Sequence, residues 1–93
     1  MGHAADLETR LREHFAPQSL EIIDESHRHA GHQESFDGTG ETHLRVRIVA
    51  EAFAGMSRVE RHRAINRLAQ GAIDAGLHAL AIDAKTPAES ARN

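Results

Sequence analysis

Apolar residues change their spacing several times along this chain, and each change marks an element. Leu7, Leu11 and Phe15 fall at i, i+4 and i+8, which is one face of a helix over residues 4–14. Asp6 and Glu8 near its start and His14 near its end suit the helix dipole. Ala16-Pro17 stops it, because the residue before proline avoids the helical region. From Ser19 to about Ser26 the period falls to two, with Leu20, Ile22 and Asp24 on one face and Glu21, Ile23 and Glu25 on the other. Residues 27–40 hold Gly31, Gly38 and Gly40 with Ser35, Asp37 and Thr39, which is turn chemistry and predicts a long exposed loop. Thr42 to Glu51 is the best strand, with Leu44, Val46, Ile48 and Ala50 alternating against His43, Arg45, Arg47 and Val49. The two strands pair antiparallel across that loop.

A second helix is predicted from Ser57 to about Ala75. Ser57 and Glu60 form a capping-box signature. Ile65, Leu68, Ala69, Ala72, Ile73 and Gly76 follow the helical period, while Arg58, Arg61, Arg63, Arg67 and Gln70 point largely away. Ala75-Gly76 ends the helix. Gly71 inside it costs up to about 1 kcal/mol against alanine, so the expectation is close packing against the sheet. Leu77 to Ala84 reads as a third strand, and Thr86-Pro87-Ala88-Glu89 opens a last helical turn. The order is α-β-β-α-β-α, an α+β protein with helices packed on one face of a small sheet.

Ninety-three residues make one domain, with a core over about 5–84 and a short C-terminal turn and tail over 85–93. Aromatics are limited to Phe15, Phe36 and Phe53, so Leu, Ile, Val and Ala must build the core. No apolar run approaches the roughly 20 residues of a membrane span. Asp6, Glu8, Arg10 and Arg12 interrupt any signal-peptide pattern, and the expectation is a cytoplasmic protein, monomeric or weakly dimeric alone. Charge is uneven: residues 1–44 carry −6, residues 45–67 carry +4 and residues 68–93 carry −1. The basic middle is either a solvated, partly paired surface or a docking patch for an anionic partner.

The chain has no cysteine. Thiolate catalysis is excluded, and any metal or redox chemistry must draw its softer ligands from histidine. His78, beside an apolar run, is the first such residue; His27, His29 and His32 follow the first strand. Each has a plainer reading, His78 as a half-buried packing residue and His29 as a surface histidine. His27, His29 and His32 together are a weak zinc or nickel pattern without a rigid scaffold. His62 between Arg61 and Arg63 suits helix packing, and His43 the face of the hairpin. An enzyme reading fares poorly, because Ser57 is committed to capping and Asp24 and Glu25 point to opposite faces of a strand.

Several segments taken together resemble the BolA family over about residues 7–89. They are Leu20-Glu21-Ile22-Ile23-Asp24-Glu25-Ser26 with a following histidine, Glu41-Thr42-His43-Leu44-Arg45-Val46, Phe53-Ala54-Gly55, Arg61-His62-Arg63, His78-Ala79-Leu80-Ala81-Ile82 and Thr86-Pro87. The resemblance implies a type II KH-like fold with a three-stranded mixed sheet. It also implies a non-enzymatic partner of a monothiol glutaredoxin, sharing a [2Fe–2S] cluster to which the glutaredoxin and its glutathione bring sulfur. By that resemblance His78 and His29 are the histidine ligands, with His32 the rival in a loop longer than the family's usual one. No cluster is expected on the isolated chain. Arg58, Arg61, His62, Arg63 and Arg67 are the residues for docking the partner. Some bacterial relatives are DNA-binding regulators of stress response and cell shape, which makes DNA the alternative partner for the same residues. Gly55-Met56-Ser57-Arg58 lacks the second glycine of the KH nucleic-acid clamp, which counts against that alternative.

Overall fold

The computed structural model describes residues 3–25 and 43–92. In chain order they form α1 (His3–Phe15), β1 (Ser19–Asp24), β2 (His43–Val49), a 3-10 turn (Glu51–Phe53), α2 (Arg58–Leu68), α3 (Gln70–Asp74), β3 (Ala79–Lys85) and α4 (Pro87–Ala91). The sheet runs β1-β2-β3, with β1 antiparallel and β3 parallel to the central strand. This is the expected mixed α+β arrangement. The long loop over 27–40 lies outside the described residues.

Register fixes what each face carries. Ile22 pairs with Val46, and Val46 with Ile82, so Leu20, Ile22, Leu44, Val46, Ile48, Leu80, Ile82 and Ala84 line one face. That face packs on Leu7, Leu11 and Phe15 of α1, on Ala64 and Ile65 of α2, on Ala72 of α3 and on Ala69 between those two helices, with Phe53 fully buried between the layers. Each large side chain buried there contributes about 1.5–3 kcal/mol. The Phe15 and Phe53 rings meet at 4.8 Å between centroids. The other sheet face is charged: Arg45 reaches Glu25 at 2.9 Å and Arg47 reaches Glu21 at 3.8 Å.

The capping box at Ser57 and Glu60 forms as the sequence predicts, and a second one joins Thr86 and Glu89 with Pro87 at the first helical turn. Four expectations need correction. The long helix is two, broken at Ala69 (φ −90°, ψ 0°), whose amide is shared between the carbonyls of Ile65 and Asn66. Such tightening closes a helix end. Gly71 follows the break on the exposed side, and an added Cβ there meets nothing within 4 Å, so sheet packing does not explain it. Ile73, assigned to the buried stripe, is 36% exposed.

The fourth correction moves His78. Gly76 (φ +127°) ends α3, the Leu77 amide donates to the Ala72 carbonyl at 2.9 Å and the Gly76 amide to Ile73 at 3.2 Å. This double closure puts the residue after the glycine back onto the helix. Leu77 is therefore buried in the core, and β3 begins only at Ala79. His78 sits in the joint between helix stop and strand, and it is exposed. Among the described residues no helix is long and apolar enough to cross a membrane.

Candidate functional site

The end of the sheet where β3 begins gathers the histidine chemistry. His43 opens β2 and pairs in register with Ala79, next to His78. The His43 and His78 rings lie 6.0 Å apart between centroids and within 17° of parallel. His43 had only a place on the hairpin face in the sequence reading. The signal that could have singled it out was its position opposite the start of the last strand, which requires the parallel register.

The same end anchors the segment that carries the loop histidines. The Glu25 amide donates to the His43 carbonyl at 2.8 Å. The Glu25 carboxylate accepts a 2.9 Å hydrogen bond from Arg45 Nε, and that bond raises the guanidinium pKa. Glu25 and His43, the described residues on either side of 26–42, are thus adjacent, one strand from His78. His29 and His32 lie outside the described residues, four and seven positions past Glu25.

The donor set here is imidazole nitrogen without sulfur. No group of three or more His, Cys, Asp or Glu among the described residues could hold a metal ion by itself. An exposed His78 with a neighbouring imidazole suits one iron of a cluster whose other ligands come from elsewhere, since histidine replaces cysteine on one iron in known [2Fe–2S] centres.

The basic residues do not act as one group. Arg58, Arg63 and Arg67 are exposed on α2, and none has a side-chain partner among the described residues. His62 is half-buried beside them. Arg61 departs from the sequence expectation of an outward side chain, with only 11% of it exposed. It lies one helical turn before Ile65, on the core side of α2, with its guanidinium 5.8 Å from the Phe53 ring centre. Its donors go to the Met56 and Ala84 carbonyls at 3.1 and 3.0 Å and to both oxygens of Glu89 at 2.7 and 3.1 Å. The Arg61 hydrogen bond, with the Thr86 amide, holds the Glu89 carboxyl down at about 2. Arg61 therefore clasps α4 to the end of β3.

These features define a class: small α+β proteins with a three-stranded mixed sheet, helices on one face, and an exposed histidine leading into the last strand. The model of the family described as BolA-like protein matches residues 11–89, and the chain belongs to that family. It is 62% identical over 92 residues to an uncharacterized protein in the cobS 5′ region of a Sinorhizobium species, covering 99% of both chains. It is 49% identical over 83 residues to SufE-like protein 1, chloroplastic/mitochondrial, of Arabidopsis thaliana, covering 86% of this chain but 22% of that one. The structure of BolA1 from Arabidopsis thaliana superposes with a TM-score of 0.83 at 39% identity, covering 96% of each chain. The type II KH-like arrangement implied by the sequence fits this fold.

Proposed function

We propose that this protein is a non-enzymatic adaptor of the cytoplasm that binds a monothiol glutaredoxin and shares a [2Fe–2S] cluster with it, in cluster trafficking or iron regulation. The single observation that carries the reading is the exposed His78 at the joint before β3, stacked beside His43 and one strand from the base of the segment bearing His29 and His32. His78 and His29 would hold one iron, with His32 the rival for the second place, and the glutaredoxin would bring sulfur to the rest. The cluster would supply one-electron and ligand-exchange chemistry. Leu77 in the core fixes the backbone before His78, and the Glu25–Arg45 bridge holds the last described residue of the first strand segment, which supports the reading. Family membership supports the reading.

Mixing with a cluster-loaded monothiol glutaredoxin, followed by visible circular dichroism, tests it. A changed cluster spectrum is expected; an unchanged one sinks the reading.

A second reading, a DNA-binding regulator, is favoured by the exposed Arg58, Arg63 and Arg67 on one helix. Phosphate contacts make affinity fall steeply with salt, so duplex retardation that vanishes between low and moderate salt is its expected sign. A flat salt response counts against it.

A further inference from the structure

At the far end of β3 from His78, the outer edge of the strand, the first turns of α2 and the start of α4 enclose a cleft of about 520 Å³. That is within the roughly 300–1,000 Å³ of small-molecule sites. Its floor is the Arg61–Glu89 pair, already closed on itself by two hydrogen bonds. Half-buried Met56 and Ile82 give it an apolar wall.

Arg58 and His62 from α2 and Lys85 from β3 also line it, and none of the three has a side-chain partner among the described residues. Asp83 is the one further acid of the lining, and it lies across from Arg47 in register and in the field of Arg45. A single exposed cation carries no information. Exposed Arg58 and half-buried Lys85, from two elements and with the His62 imidazole beside them, over a neutral floor with an apolar wall, make a positive field focused in a cleft.

We propose that this cleft binds a small phosphomonoester, its phosphate against Arg58, His62 and Lys85 and its organic part against Met56 and Ile82. A terminal phosphate carries a second negative charge that a carboxylate or a phosphodiester lacks, and the Arg58 and Lys85 cations favour it, with the His62 imidazole a further hydrogen-bonding group. Charge-assisted hydrogen bonds from such groups are the strong ones. Lys85 stands seven residues along the chain from His78, about 23 Å at strand spacing, so this site does not depend on the cluster reading.

The test is a titration of the isotope-labelled chain with glycerol 3-phosphate, read by amide chemical shifts. Glycerol serves as control, and a short unphosphorylated DNA duplex as a second arm. Saturable shifts at Arg58, His62 and Lys85 are expected, with none from glycerol and none of comparable size at His78. The double variant Arg58→Ala/Lys85→Ala should weaken binding at least about tenfold. Arg58→Gln alone, at an exposed position, should weaken it in the same direction if the double variant fails to fold. His78→Ala should bind unchanged. No saturable shift at millimolar ligand, or undiminished affinity in the Arg58 variants, overturns the site. Tighter binding of the duplex at the same residues overturns the small-molecule assignment.

Discussion

His43 and His78 stack across the parallel pair β2–β3, with ring centroids 6.0 Å apart and planes within 17°. One strand residue thus limits where the exposed imidazole of its neighbour can turn. Groups that orient a ligand are typically worth about 10–100-fold in metal affinity. His43→Ala should therefore keep the changed spectrum with glutaredoxin but lose the cluster about tenfold faster to a chelator. His43→Phe, which keeps a flat ring, should restore much of the lifetime. Equal lifetimes in all three proteins would remove His43 from the site.

The clasp of Arg61 on Glu89 makes an acid-range prediction. The Glu89 carboxyl is lowered from 4.5 to about 2 in the folded chain. Its stabilising contribution is therefore complete above about 4.5 and is lost as pH falls from there towards about 2, because the unfolded chain takes up the proton first. Glu89→Gln lacks this contribution at neutral pH. The stability gap between wild type and Glu89→Gln, measured by urea unfolding, should narrow as pH falls through that window. A gap constant from neutral pH down to the window's lower end contradicts the clasp. Arg61→Lys should not rescue it, since lysine cannot make the two-pronged contact.

Gly71 offers the opposite direction of change. It lies in α3 without a positive φ, and a Cβ there meets nothing within 4 Å. Gly71→Ala should raise stability by about 0.5–1 kcal/mol through helix propensity and a less disordered unfolded chain. Chemical denaturation reads this directly. A loss of stability would mean that α3 needs the glycine for a conformation other than the helical one.

Local chemistry made most of the fold legible. Period-two alternation at Leu44, Val46 and Ile48 gave β2 and its buried face, and Ser57 with Glu60 gave the start of α2. Arg61 was misread because its charge suggested solvent, while its place one turn before Ile65 is core-facing and its head finds two carbonyls and a carboxylate. His78 and Leu77 were read as strand because both lie in an alternating run. The glycine closure at Gly76 claims Leu77 for the helix end, a competition that alternation alone does not display. The proximity of His43 to His78 depends on the register of non-adjacent segments, so no local pattern could carry it.

The most direct test of the central claim is visible circular dichroism of the glutaredoxin mixture with His78→Ala, beside His29→Ala and His32→Ala. His78→Ala should leave the spectrum of the glutaredoxin cluster alone, and His29→Ala should do the same, while His32→Ala should retain the changed spectrum. A His78→Ala protein that still changes the cluster spectrum as wild type does would contradict it.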